Sequence, residues 1–232
     1  MTKNSKRAFI SWTGGKDSSL ALFLAKEIGY EILGLVTFIP ESSSFRAHPL
    51  HVIKKQAESL NLPWRKLTVK DPYKQSYEKA LIKLKDEFAI DYIITGDIDL
   101  IDNHPDNYMK ERCEVVGLKI FNPLWQKSRN DIWALLLSNN FKVVITFAKK
   151  ESLAIDWIGK VITTEKLKEL VELSDTNGID LTGENGEFHT IVIDSPNFDS
   201  ELKFDSTSVV SDEKYNYVKV NEVILKTKIC SL

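Results

Sequence analysis

Residues 7–20, RAFISWTGGKDSSL, are the stretch that decides the fold. The apolar run Ala8–Ile10 predicts a short buried strand, and the pair Gly14-Gly15 predicts a turn soon after it. Asp17, Ser18 and Ser19 can cap the apolar helix that follows. This order directs backbone N–H groups and the positive end of a helix at one point, so it predicts an anion-binding site. Lys16 adds a positive charge there.

The spacing of the glycines narrows the choice of anion. It matches neither the GxxxxGK[ST] pattern of P-loop proteins nor the GxGxxG pattern of dinucleotide-binding folds. Instead, Thr13–Ser18 (TGGKDS) resembles the pyrophosphate loop of the N-type ATP pyrophosphatases, which split ATP between its α and β phosphates. A Gly-Gly turn before a capped helix can also be only a turn, so a purely structural role stays open at this point.

Predicted strands and helices alternate through the first half of the chain. Such alternation is typical of a parallel sheet with helices on both faces. Ligands of these sheets bind beyond the carboxyl ends of the strands, where we expect Thr37, Phe38, Gly96 and Asp97 to lie beside the glycine loop. The predicted strands are 8–10, 31–38, 64–69, 91–95 and 119–123, and the helices after the first one are 49–60, 73–88 and 105–116.

The second half has a different pattern. Helices are predicted at 129–137 and 163–173, strands at 141–147 and 191–193, and two antiparallel strands within 201–228 that turn at Asp212 and Glu213. The predicted fold class is therefore α/β, with a parallel five-stranded sheet followed by a smaller α+β domain. We expect the first domain to span residues 1–127 and the second to span residues 128–232.

Residues 183–190, GENGEFHT, concentrate polar groups around two glycines. A segment of this kind is poor core material. One interpretation is a solvated hairpin turn, and the other is a binding loop on a rigid scaffold. The carboxylates of Glu184 and Glu187 can hold a substrate cation or the magnesium that accompanies ATP.

The composition is typical of a soluble globular protein. The chain is 43% hydrophobic and 28% charged, and its formal net charge of −2 gives no argument for nucleic-acid binding. No apolar run approaches the roughly 20 residues that span a membrane, and no long apolar segment follows the basic N-terminus as in a signal peptide. Cys113 and Cys230 lie far apart. We therefore expect unpaired thiols and a cytoplasmic protein.

Four motifs together resemble the diphthine–ammonia ligase family. They are Thr13–Ser18, Gly96–Asp99, Pro123–Trp125 and Gly183–Thr190, in that order. The resemblance implies a Rossmann-like HUP domain that binds ATP, followed by a smaller C-terminal domain. It also implies a reaction in which ATP, a carboxylate and ammonia give AMP, pyrophosphate and an amide, on a modified histidine of the translation translocase. This chain has Thr182 where many members have Cys.

The chemistry of these motifs indicates roles for individual residues. The candidate catalytic residues are Lys16, Asp17, Glu187 and His189, with Glu187 or His189 as the base that keeps the attacking amine uncharged. Asp17 and Asp97 are the candidate Mg²⁺ ligands, and Asp99 and Asp102 are further options, although Asp at such positions also caps helices and turns. The candidate ATP-binding residues are Ser11, Thr13, Gly14, Gly15, Lys16, Asp17, Ser18, Thr37, Gly96 and Asp97, and the candidate substrate-binding residues are Gly183, Glu184, Asn185, Gly186 and Glu187.

Two other functions stay open on the sequence. One is the same chemistry on another acid, such as a corrinoid acid or a small carboxylate. The other is a nucleotide-binding sensor of the universal-stress type, which should bind ATP through a glycine-rich segment late in the chain. The expected partners are a carboxylate-bearing substrate and ammonia, without nucleic acid or membrane. The alternating tail can also pair with the edge of a second subunit in a homodimer.

Overall fold

The structure, a computed structural model, describes residues 6–41, 45–100 and 107–228. The chain divides into two compact units that are not consecutive in sequence. The first unit comprises Met1–Thr13, Asp17–Ser44 and Leu62–Gln126, and the second comprises Gly14–Lys16, Phe45–Asn61 and Lys127–Leu232.

The first unit contains a parallel five-stranded sheet, as the sequence predicts. Its strands are β1 (Lys6–Ser11), β2 (Tyr30–Pro40), β3 (Trp64–Val69), β4 (Tyr92–Ile94) and β5 (Lys119–Phe121). They lie in the order β3-β2-β1-β4-β5, and every neighbouring pair is parallel. The strand order reverses at β1, and ligands of such sheets bind at the carboxyl end of this position.

Three helices accompany this sheet: α1 (Lys16–Glu27), α3 (Tyr73–Phe88) and α4 (Tyr108–Val115). Since α1 begins at Lys16, Asp17 lies inside its first turn, and the prediction that Asp17 caps this helix is wrong. The predicted start of α4 at residue 105 lies outside the described residues. One hydrophobic core cluster of the unit consists of Phe9, Val36, Leu81, Leu84, Ile90, Ile93, Cys113 and Leu118.

The second unit contains an antiparallel four-stranded sheet. Its strands are β6 (Lys142–Lys149), β7 (Phe188–Asp194), β8 (Ser200–Ser211) and β9 (Tyr215–Thr227), in the order β7-β6-β9-β8. The helices are α2 (Leu50–Leu60), α5 (Arg129–Ser138) and α6 (Thr164–Asn177), with a short 3-10 helix at Ile155–Trp157. The prediction of a parallel α/β sheet followed by a smaller antiparallel sheet with helices is thus confirmed.

The β7 strand begins earlier than the sequence indicates. The predicted strand starts at residue 191, whereas Phe188, His189 and Thr190 already pair with β6. The second half of the GENGEFHT stretch is therefore sheet, and only residues 183–187 form a loop. In the described parts of the chain, no helix is both long and apolar enough to cross a membrane.

Candidate functional site

A cavity of about 210 Å³ opens at the carboxyl end of β1 in the first unit. Three of the predicted ATP-binding residues, Ser11, Thr13 and Asp97, line it. This is the position at which the topology of the sheet predicts a ligand. The other lining residues are Trp12, Phe38, Tyr77, Thr95, Tyr108 and Met109.

Thr37 does not line this cavity with its side chain. The residue is only 1% exposed, and its hydroxyl donates to the Trp12 carbonyl (2.6 Å) and accepts from the Trp64 indole N–H (2.9 Å). Successive side chains of a strand point to opposite faces. The next residue, Phe38, which we also expect at this edge, does line the cavity.

Gly96 brings the end of β4 into direct contact with the first turn of α1. A Cβ atom at this position would lie 2.5 Å from the Asp17 carbonyl carbon and 2.7 Å from the Ser18 nitrogen. Both neighbours are backbone atoms, which cannot move aside as a flexible side chain can. Only glycine therefore fits between this strand and the helix that carries Asp17 and Ser18.

Asp97 is held in a fixed orientation at the cavity. Its Oδ2 accepts hydrogen bonds from the Thr95 hydroxyl and the Asn107 amide, each 2.8 Å long. Among the described residues there is no group of three or more His, Cys, Asp or Glu side chains that could hold a metal ion. A metal that one or two carboxylates and a bound phosphate hold together, as is usual for Mg²⁺, needs no such group. Asp102 lies outside the described residues.

Two tyrosines that the sequence analysis did not assign to the site, Tyr77 and Tyr108, line the same cavity beside Phe38. The ring centroids of Phe38 and Tyr77 are 5.0 Å apart, and those of Tyr77 and Tyr108 are 5.6 Å apart. Burial, with Tyr108, Tyr73 and Asp97 nearby, raises the pKa of Tyr77 to about 12, so its hydroxyl stays protonated. Helical periodicity assigns Tyr77 to an apolar face, and no local signal distinguishes it from a core residue.

In the second unit, the segment Gly14–Lys16 of the predicted phosphate loop runs beside β7. The Gly14 carbonyl accepts from the Val192 N–H (3.0 Å) and from the Gln56 side-chain amide (2.9 Å). The Lys16 N–H donates to the Thr190 hydroxyl (3.1 Å). One of the backbone donors that we expected to bind phosphate thus contacts the GENGEFHT stretch.

The Lys16 side chain contacts the residue that precedes the second motif. It is only 3% exposed, and its ammonium group donates to the Thr182 carbonyl at 2.6 Å. Thr182 immediately precedes GENGEFHT. Lys16 of the glycine loop therefore contacts the second motif through its backbone N–H, and the residue just before that motif through its side chain.

Glu187 stabilises the loop in which the substrate-binding residues lie. Its side chain is buried, with Glu187 6% exposed. Oε1 accepts from the Asp180 N–H (2.8 Å) and the Asn185 amide (3.1 Å), and Oε2 accepts from the Asn185 N–H (3.0 Å). Both oxygens are therefore engaged within the loop, whereas Glu184 and Asn185 are exposed.

Asp180 is a functional candidate that the sequence analysis missed. Its Oδ1 accepts from the Thr182 N–H (2.8 Å) and hydroxyl (2.6 Å), and its Oδ2 accepts from Arg129 (3.0 Å). Burial alone would raise its pKa, but these hydrogen bonds lower it overall, so the carboxylate stays charged. Asp180 fixes Thr182, the residue whose carbonyl receives Lys16. Its spacing from Thr182 is that of an Asx-turn, which is a local signal in the sequence.

His189 lies between Phe147 and His48. The ring centroids are 5.6 Å from Phe147 and 5.2 Å from His48. Burial, with the charges of Lys16 and Lys149, lowers the pKa of His189 to about 4. The imidazole is therefore neutral at pH 7, and it makes no hydrogen bond to any residue that the structure describes.

Two family models match the chain over most of its length. The Diphthamide synthase N-terminal domain matches residues 6–120, and the Diphthamide synthase C-terminal domain matches residues 130–225.

Curated proteins with similar sequences are diphthine–ammonia ligases. The Homo sapiens enzyme is 26% identical over 253 residues, and the Mus musculus enzyme is 24% identical over 254 residues. Each alignment covers 95% of this chain and 92% of the relative. A solved structure, described as a predicted subunit of tRNA methyltransferase from Methanocaldococcus jannaschii, is 17% identical, with a TM-score of 0.47 over 82% of this chain and 97% of that one. A score at this level does not establish a shared fold.

Proposed function

Because this chain belongs to the diphthamide synthase family, we propose that it is an ATP-dependent ligase that joins ammonia to the carboxylate of diphthine. The carboxylate attacks the α phosphorus of ATP and pyrophosphate leaves. Ammonia then attacks the acyl-adenylate, gives up a proton and releases AMP. The resemblance that the four sequence motifs predict is confirmed by both family models.

The contact between Lys16 and Thr182 is the observation that carries the proposal. A buried ammonium group that belongs to the glycine loop contacts the residue before GENGEFHT. Pyrophosphate departure creates negative charge, and a preorganised cation offsets it. An ammonium has three donors, so Lys16 can keep its bond to Thr182 while it contacts a phosphate.

We propose that residues 1–127 bind ATP and residues 128–232 bind the acceptor. In this assignment the base and ribose of ATP lie near the cavity that Ser11, Thr13 and Asp97 line. Phe38 lines the same cavity, and Thr37 is its neighbour in β2. Gly14, Gly15, Lys16, Asp17, Ser18 and Gly96 form the phosphate side, and Gly183, Glu184, Asn185, Gly186 and Glu187 form the acceptor loop.

Asp17 and Asp97 are the proposed Mg²⁺ ligands. The fixed orientation of Asp97 supports this role, because its Oδ2 is hydrogen bonded while its Oδ1 accepts no hydrogen bond from any described residue. Carboxylate oxygens are the ligands that Mg²⁺ prefers beside phosphates. When bound, the ion would offset charge on the leaving pyrophosphate.

Of the two candidate bases, the contacts favour His189. Both oxygens of Glu187 already accept hydrogen bonds from its own loop, so we assign Glu187 to holding the acceptor loop. His189 is neutral and can accept a proton. Phosphates bound beside Lys16 would offset one of the charges that lower the pKa of His189, which makes it a stronger base when ATP is present.

We further propose a cytoplasmic protein that needs neither nucleic acid nor membrane for its reaction. Cys113 is a buried free thiol, and an unpaired cysteine fits a reducing compartment. β8 is an edge strand of 12 residues, so a homodimer would form most simply through this strand.

The test is a product assay with ATP, Mg²⁺, ammonium and translocase that carries diphthine. We expect AMP, pyrophosphate and amide in equal amounts. Lys16→Ala should lower pyrophosphate release roughly 100-fold or more, because it removes the preorganised cation. Lys26→Ala, an exposed change in the last turn of the same helix, is the matched control.

The results of this assay separate the loop assignment, the acceptor and the type of function. Unchanged pyrophosphate release by Lys16→Ala would refute the loop assignment. Turnover with a small carboxylate or a corrinoid acid, but not with diphthine, would replace the acceptor and keep the chemistry. ATP binding without pyrophosphate release under any of these conditions would favour a sensor.

A further inference from the structure

Gln56 is a polar side chain in the buried face of α2. It is 0% exposed, and its helical neighbours Val52, Ile53 and Ala57 are buried apolar residues. A polar group in such a position must be hydrogen bonded, because leaving it unpaired costs free energy. Its partners therefore indicate why this helix carries an amide here.

The Gln56 amide nitrogen bridges two carbonyl groups. It donates to the Gly14 carbonyl (2.9 Å) and to the Val192 carbonyl (2.8 Å). The Gly14 carbonyl also accepts from the Val192 N–H at 3.0 Å. One NH₂ group thus ties the glycine loop to β7, using both of its hydrogens.

The backbone of Gly14 leaves room for the Gln56 side chain. Gly14 has a φ of +80°, and a Cβ atom on it would lie 2.3 Å from Gln56 Oε1. The positive φ therefore favours glycine at position 14, and the Gln56 side chain fills the space that a Cβ atom would take.

The geometry points to Gln56 as a positioning residue for the ATP phosphate loop. Because a peptide unit is planar and trans, fixing the Gly14 carbonyl towards β7 also directs the Gly15 N–H the opposite way. The orientation of this N–H, one of the proposed phosphate donors, is thus set by α2, which is remote from it in sequence. This inference rests on the proposed function only in that the loop binds ATP.

Two substitutions at Gln56 and one control test the inference. Gln56→Leu removes the donor, and Gln56→Glu keeps the shape but places a carboxylate oxygen against two carbonyl oxygens. Ser59→Ala is the control, because Ser59 is 2% exposed in the same helix and bonds Ser200 of β8 rather than the loop. The measurements are hydrogen exchange at the amides of residues 14–16 without ligand and the Kd of ATP by calorimetry.

We expect faster exchange at the Lys16 amide and ATP binding weakened roughly tenfold or more in both Gln56 variants, because buried acceptors lose their donor. Ser59→Ala should leave both quantities close to those of the native protein. Native-like exchange and a native-like Kd in Gln56→Glu would overturn the inference, as would equal losses in Ser59→Ala.

The outcome is separable from that of the ligase proposal. If the native protein binds ATP but forms no amide, the ligase proposal fails while the Kd values still decide the role of Gln56. If the native protein does not bind ATP, the inference is overturned together with the ATP site.

Discussion

Replacing Glu187 by Gln separates a loop-stabilising role from a role as catalytic base. The carboxylate accepts three N–H donors with both oxygens. A Gln amide can keep the bond from the Asp180 N–H, but its NH₂ group then faces the Asn185 N–H, donor against donor. A hydrogen bond to a charged group contributes about 1.5–3 kcal/mol, and loss of the charge weakens the bond that remains. We therefore expect the free energy of unfolding to fall by about 2–4 kcal/mol.

Urea unfolding is the direct measurement, with the midpoint and slope compared between variants. Glu184→Gln is the matched control, since it makes the same chemical change on an exposed side chain of the same loop. It should change stability by less than about 0.5 kcal/mol. A stability of Glu187→Gln that equals that of the control, together with loss of amide formation, would refute the loop-stabilising role and restore Glu187 as the base.

Two further predictions concern the helix start and the histidine. Gly96→Ala should lower the free energy of unfolding by about 1–3 kcal/mol and weaken ATP binding, because its Cβ would displace the backbone of Asp17. Urea unfolding measures the first effect and calorimetry the second. Native-like values in both would contradict the close contact between Gly96 and α1. Since the folded state lowers the pKa of His189 from 6.5 to about 4, the unfolded state binds more protons between these pH values. The free energy of unfolding should therefore fall as the pH drops through this window, and it should fall less steeply in His189→Gln. Equal pH profiles for the native protein and the variant would show that His189 does not titrate in this way.

The elements with strong local signals could be predicted from the sequence. β3 and α3 lie at the predicted residues, because Pro63 and Pro72 mark where each can begin and because α3 has a clear apolar stripe. The glycine turn before α1 was also evident. Its position at the centre of the sheet follows from the general topology of alternating α/β chains.

Contacts between residues distant in sequence could not be predicted. Gln56 looks like an ordinary polar residue of an amphipathic helix, and only the fold brings it to Gly14 and Val192. The sequence predicts both Thr37 and Phe38 at this edge but does not tell which of the two side chains lines the cavity. β2 lies inside a parallel sheet, where side chains of both faces are buried and no polar alternation reveals the orientation.

The polypeptide enters the second unit three separate times, at Gly14–Lys16, Phe45–Asn61 and Lys127–Leu232. No single cleavage point can divide such a chain into two pieces that each keep their contacts. A fragment that ends near residue 127 would retain α2 but lose β8, which receives the hydrogen bonds of Ser59. Gene fusions and split-protein reporters should therefore be designed on the whole chain. Limited proteolysis data should likewise be interpreted for the chain as one folding unit, even though its two sheets differ.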